Sequence, residues 1–136
     1  RRCKNILDIL EKNKTKRHFC IFDELYSGTN PYEAISGAYA YLSYLTKFKN
    51  FNFMLTTHYV ELCEKIKSNK SIINNHMKID FHNDKENKQN TKQINQNGFI
   101  YTYKLVPKIS SIKGGTKVFK DLNYPDEIIS LMLKNL

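Results

Sequence analysis

The stretch that decides the fold is Phe19-Cys20-Ile21-Phe22-Asp23-Glu24, an apolar run that ends in two adjacent carboxylates. Residues 18–22 make a short apolar run, a pattern that predicts a β-strand buried on both faces of a sheet. At the end of such a strand Asp23 can hold Mg²⁺, directly or through water, and Glu24 can polarise a water that attacks a phosphate. Because successive side chains on a strand point to opposite faces, the two carboxylates can take different roles. Many strands end in acidic residues without carrying a site, so this pair alone identifies nothing.

Helices and a second strand surround this stretch in alternation. Residues 2–14 have helical spacing of apolar positions, and a helix of small residues should run from the Asn30-Pro31 start to about Lys49. Residues 51–56 form a second apolar strand, and a short helix follows to about residue 68. This order predicts an α/β fold with a parallel sheet flanked by helices.

The pattern changes in the C-terminal part of the chain. Residues 72–82 and 99–106 each predict a strand, so an antiparallel hairpin is expected there. Residues 83–97 between them are rich in Asn, Lys and Gln and predict an exposed, mobile polar loop. Two short helices should close the chain, one from Gly115 to about Asn123 and one from Pro125 through Leu133.

The composition favours an intracellular protein outside the membrane. The chain carries 22 Lys and Arg against 13 Asp and Glu, a net charge of +9 that suits a polyanion such as nucleic acid. The Lys residues are nevertheless scattered, and a solvated basic surface explains them as well. No apolar stretch approaches the roughly 20 residues that cross a bilayer. The three cysteines show neither metal-ligand spacing nor a paired framework, which indicates a reducing compartment.

Two further features accompany the carboxylates. His58 follows the second strand, and in a parallel sheet it should lie at the same edge as Asp23 and Glu24, where it can contact a γ-phosphate. A histidine in this position is otherwise a surface or capping residue. The loop Ser27-Gly28-Thr29-Asn30-Pro31 can face a partner subunit, although ordinary helix capping already explains Asn30 and Pro31.

Taken in order, these motifs resemble the MutS ATPase domain, a relative of the ABC ATPases. The resemblance is carried by Phe22-Asp23-Glu24-Leu25, by Ser27-Gly28-Thr29, and by Thr57-His58-Tyr59 with Glu61-Leu62. The C-terminal stretch around Tyr103–Ser110 and Tyr124-Pro125 also fits, so the resemblance covers residues 1–136. It implies the C-terminal half of a P-loop NTPase sheet, from the Walker B strand to two C-terminal helices, with an added antiparallel hairpin.

The resemblance also implies roles for the site residues. Asp23 corresponds to the carboxylate that holds Mg²⁺, through water, and Glu24 to the general base of ATP hydrolysis. His58 corresponds to the switch histidine near the γ-phosphate. Ser27, Gly28 and Thr29 correspond to the loop beside the nucleotide at a dimer interface. The implied partners are another MutS-type subunit, identical or different, and mismatched double-stranded DNA bound by upstream domains.

Some positions depart from the family pattern. No Gly-x-x-x-x-Gly-Lys-[Ser/Thr] loop occurs in the chain, so the phosphate-binding Walker A loop is expected upstream and this fragment alone should be inactive. The wording of residues 27–31 and of Thr57 leans towards divergent branches of the family. A MutS relative that acts on recombination intermediates, and a dimerisation module that does not turn over ATP, are therefore alternatives. A simple basic DNA-binding domain is disfavoured because no recognition-helix pattern is present.

Overall fold

Residues 1–81, 99–112 and 114–135 are described by a computed structural model. They form two units, Arg1–Asn74 and Asn75–Leu136. The predicted polar loop 83–97 lies outside the described residues. Within the described helices, none is long and apolar enough to span a membrane.

The first unit has the predicted alternation of helices and strands. Strands β1 and β2 pair in parallel, with His18 opposite Phe51 at the start and Asp23 opposite Thr56 at the end. The mixed α/β class and the parallel pairing are therefore confirmed for this unit. Its elements in chain order are α1 (Arg2–Lys12), β1 (His18–Asp23), α2 (Pro31–Leu45), β2 (Phe51–Thr56) and α3 (Val60–Ile66).

Helix α2 begins where the sequence predicts and ends earlier. The side chain of Asn30 accepts a hydrogen bond from the backbone N–H of Tyr32, and Pro31 occupies the first turn. The predicted end near Lys49 is wrong, because the helix stops at Leu45 and the chain turns before β2. In that turn the N–H of Phe48 donates to the carbonyl of Leu45. Helices α1 and α3 also end two residues before their predicted limits, at Lys12 and Ile66.

One face of the β1–β2 pair holds the core of this unit. Helices α1, α2 and α3 all contribute to a single apolar cluster, and they cover the strand face that carries Cys20, Phe22 and Phe53. The prediction that β1 is buried on both faces is wrong for this chain, since Phe19 and Ile21 are 62% and 68% exposed. Cys20, expected to be buried, is half-buried. All three helices pack on one side, so no helix of this unit covers the other face of the pair.

The second unit contains the predicted hairpin and two helices. Strands β3 (Asn75–Phe81) and β4 (Phe99–Pro107) pair antiparallel, and the helices are α4 (Gly115–Asp121) and α5 (Asp126–Lys134). Strand β3 starts three residues later than predicted, because Ile72 closes a turn through its N–H to the carbonyl of Asn69 and the side chain of Asn74 donates to the carbonyl of Cys63.

Candidate functional site

The last residues of β1 and β2 form a polar pair on the open face of the strands. Asp23 and Thr56 are direct neighbours in the parallel register. The Thr56 hydroxyl donates a hydrogen bond of 2.5 Å to Oδ1 of Asp23. This bond fixes one carboxylate oxygen of Asp23 at the C-terminal edge of the pair, the edge where open α/β sheets bind ligands.

Glu24 leaves the strand in an unusual backbone conformation. Its φ is 47°, and its N–H still donates to the carbonyl of Thr56 at 3.0 Å. A left-handed conformation costs a residue with a Cβ roughly 1–2 kcal/mol, and such strain is concentrated at functional sites. The Glu24 side chain is directed to His58, which follows β2.

His58 receives the Glu24 side chain. Its Nδ1 lies 3.1 Å from Oε1 of Glu24. The backbone before α3 is held by the Thr57 hydroxyl, which accepts from the N–H of Tyr59, and the His58 and Tyr59 rings are 4.3 Å apart. The His58 and Glu24 side chains are 60% and 49% exposed, so their interaction adds at most about 1 kcal/mol to stability. The contact brings a carboxylate and an imidazole together at the edge where β1 and β2 end.

The loop after Glu24 is exposed and makes its own local hydrogen bonds. The N–H of Ser27 donates to the Glu24 carbonyl, and the Thr29 hydroxyl donates to the Glu33 carboxylate at 3.3 Å. The side chains of Ser27 and Thr29 make no hydrogen bond to Asp23 or His58 among the described residues. A Cβ built on Gly28 would meet no described atom within 4 Å. The structure therefore places this loop next to the carboxylates and leaves its outer side open.

Tyr26 anchors this loop, and the sequence does not single it out. Its φ is 65°, its ring packs near Gly37, and the ring centroid of Tyr41 lies 6.3 Å away. Burial, together with a hydrogen bond to Cys3, raises the pKa of Tyr26 to about 12. The Tyr41 hydroxyl donates to the carbonyl of Cys3. A glycine inside a helix often marks a close approach, so Gly37 is the sequence signal that points to this packing.

The donor set at this edge suits Mg²⁺ only in the presence of further ligands. In the parts of the chain that the structure describes, no three His, Cys, Asp or Glu side chains gather into a metal cage. Mg²⁺ keeps several waters and binds through one or two carboxylates together with substrate phosphates. Asp23, exposed at the strand end and held at Oδ1 by Thr56, fits that kind of site.

Comparison with known proteins assigns the chain to a family. The profile described as MutS domain V matches residues 2–135. The chain belongs to the MutS family. The segment that carries the MutS-like motifs, from the Asp23-Glu24 strand end to the C-terminal helices, therefore lies within the part of the chain that matches MutS domain V.

Relatives within the family carry names from DNA repair. The DNA mismatch repair protein MutS of Clostridioides difficile (strain 630) is 29% identical over 125 residues, which cover 92% of this chain and 12% of that protein. The MutS of Parabacteroides distasonis is 32% identical over 124 residues, which cover 90% of this chain and 13% of that protein. The endonuclease MutS2 of Agathobacter rectalis is 47% identical over 58 residues, which cover 43% of this chain and 7% of that protein. The chain thus spans about an eighth of the length of the two MutS relatives.

Proposed function

We propose that this chain supplies the hydrolytic half of an ATP site in a dimeric DNA mismatch repair protein of the MutS family. The observation that carries the proposal is the pair of contacts at one strand edge, Thr56 to Asp23 and His58 to Glu24. Two carboxylates and an imidazole, each held by a different partner, match the needs of a phosphoryl transfer to water.

Each side chain has a distinct role in the proposed reaction. Asp23 would hold, through water, the Mg²⁺ ion that accompanies ATP, and such an ion would supply positive charge to the phosphates. Glu24 accepts a proton from the water that attacks the γ-phosphate. His58 orients the Glu24 carboxylate through the 3.1 Å contact, and under this proposal its ring also contacts an oxygen of the γ-phosphate.

The remainder of the ATP site lies in other parts of the assembly under this proposal. A phosphate-binding loop and further strands of a P-loop sheet belong to an upstream segment of the protein, and upstream domains bind mismatched double-stranded DNA. The open apolar face with Phe19 and Ile21 supports this view, because such a face is normally covered by further structure. The outward loop of Ser27, Gly28 and Thr29 lies, under this proposal, beside the nucleotide at the interface with a second MutS-type subunit, identical or different.

The test is ATP turnover by the full-length protein that contains this chain, beside its Glu24→Gln variant. We expect the variant to bind nucleotide as the wild type does and to hydrolyse it about 10²–10⁴-fold more slowly, since it loses the general base. Glu64→Gln is the matched control, because Glu64 is an exposed carboxylate on α3 with a similar ion pair, to Lys67. Equal turnover by Glu24→Gln and wild type, or no turnover by either, would leave a dimerisation module without hydrolysis as the better description.

A second candidate function is supported by the 47% identity to an endonuclease MutS2 over 58 residues. We propose as this candidate a MutS relative that acts on recombination intermediates instead of mismatches. Stimulation of ATP turnover by mismatched duplex, and not by a four-way junction, supports mismatch repair. The reverse pattern supports the second candidate.

A further inference from the structure

The end of the β1–β2 pair opposite Asp23 and Glu24 is formed by loops that hydrogen bonds tie together. Because the strands are parallel, the loops that lead into them, residues 13–17 and 46–50, lie side by side. The Asn50 side chain donates to the carbonyls of Asn13 (3.3 Å) and Lys16 (2.7 Å), and the N–H of His18 donates to the Asn50 carbonyl.

A third loop joins these two. Residues 67–71 follow α3, and there the side chain of Asn69 donates to the Thr46 hydroxyl at 3.4 Å. The Thr46 hydroxyl in turn donates to the carbonyl of Ser43 at the end of α2. The three loops therefore make one continuous surface, called here the basic loop surface.

The basic loop surface is strongly cationic. Its three loops contain no Asp or Glu. Among the described residues, one of its cations, Lys67, pairs with a carboxylate, that of Glu64 at 3.4 Å, and Lys47 lies over the Tyr44 ring. The neighbouring helix ends add acidic as well as basic residues to its rim, namely Glu11 and Lys12 in α1 and Glu64 and Lys65 in α3. The cations of the surface, all exposed, are Lys14, Lys16, Arg17, Lys47, Lys49, Lys67 and Lys70.

These seven residues account for most of the net charge of the chain. The other 15 of the 22 Lys and Arg nearly balance the 13 Asp and Glu. A lysine-rich composition alone would spread the excess over the whole surface. In this chain the fold instead concentrates the excess positive charge at one end of the β1–β2 pair.

We propose that the basic loop surface binds the phosphate backbone of duplex DNA. Duplex DNA presents a charge about every 1.7 Å along its axis, which suits a surface of cations on adjacent loops. No large apolar side chain of the three loops is exposed, so the surface lacks the groups that stack on unpaired bases or enter a lipid layer. Binding is therefore independent of base sequence. The proposal does not depend on ATP hydrolysis by the same chain, and it places DNA at the end remote from the nucleotide.

The test is the binding of a short blunt duplex by the full-length protein across a range of salt concentrations. The variant carries Lys→Gln at positions 14, 16, 47 and 49, and the matched control carries Lys→Gln at the exposed positions 104, 108, 120 and 134. We expect the variant to bind about tenfold or more weakly, with a salt dependence shallower by about one for each phosphate that it no longer neutralises. The control variant should bind as the wild type does. Equal weakening in both variants, or unchanged binding in the first, would overturn the proposal.

A positional readout separates direct binding from an effect on folding or on distant DNA-binding domains. A benzophenone amino acid at Lys16 should crosslink to the duplex on illumination, and the same group at Lys108 should not. Crosslinking at neither position, or equal crosslinking at both, contradicts the proposal. If the protein bound phosphatidylserine vesicles in preference to the duplex, and the first variant lost this vesicle binding, the surface would be assigned to membranes instead. Nucleotide binding measured on the same samples keeps this result separate from the proposed ATP site.

Discussion

Thr56 is the residue through which β2 acts on the carboxylate at the end of β1. Its hydroxyl meets Oδ1 of Asp23 only because the parallel register places the two residues directly opposite each other. Both side chains are exposed, so the bond matters less for stability than for the direction of the carboxylate. Under the proposed function, it orients the oxygen that holds a water of the metal ion.

We expect Thr56→Val, which keeps the shape and removes the hydroxyl, to raise the Mg²⁺ concentration needed for half-maximal ATP turnover severalfold. An exposed hydrogen bond of this kind contributes about 1 kcal/mol or less, so unfolding should change little. The measurement is a Mg²⁺ titration of turnover in the full-length protein. Thr102→Val is the control, since the Thr102 hydroxyl donates to the carbonyl of Lys78 in the second unit. Identical titrations for Thr56→Val and wild type would show that Asp23 needs no orientation by Thr56.

Among the helices and strands, helix α2 has the start that the sequence predicts most clearly. The Asn30 side chain accepts from the N–H of Tyr32, and its replacement by Ala should cost about 1 kcal/mol. Amide hydrogen exchange in the first turn of α2 should then be about fivefold faster. Ser36→Ala, at an exposed position of the same helix, serves as the control and should change exchange little. If both variants exchange at the wild-type rate, the cap does not determine where this helix begins.

The same helix shows what the sequence could and could not predict. Its start follows from local chemistry, since Asn30 and Pro31 act on their own neighbours. Its end at Leu45 depends on distant residues, because the following turn is held by Asn69 at Thr46 and by the bonds of Asn50 to Asn13 and Lys16. No local pattern contains those bonds.

The candidate site divides in the same way. The approach of Asp23, Glu24 and His58 to one edge follows from parallel pairing, which the alternation of helices and strands indicates. The Thr56 bond depends on the register of the strands, and Tyr26 depends on how its loop packs against α2. The apolar run predicts burial of both faces of β1, but the helices of this unit cover one face. A run of apolar residues indicates that a strand tends to be buried. It does not indicate which segment of the protein covers that strand.

For the whole molecule, the open face of β1 and β2 should govern the behaviour of the isolated 136-residue chain. Phe19, Ile21 and Met54 are each more than half exposed on that face, and uncovered apolar faces with free strand edges promote association. We expect concentration-dependent association in sedimentation velocity, reduced by Ile21→Thr with Met54→Gln. Val60→Thr with Ile73→Thr, at exposed apolar positions off the sheet, is the control. A monodisperse, cooperatively unfolding wild-type chain would contradict this expectation.

The parallel register of β1 and β2 has one more consequence. Strands that start together also finish together, so the first unit has cations at one pole and Asp23 and Glu24 at the other. Such a unit is an electric dipole along its strands. The electric field of a polyanion orients this dipole before contact is made. The cationic pole then faces the polyanion, and Asp23 and Glu24 face away from it. Salt screens this field over about 10 Å at 0.1 M ionic strength. The ionic strength of the solution therefore decides at what distance from the polyanion the unit becomes oriented.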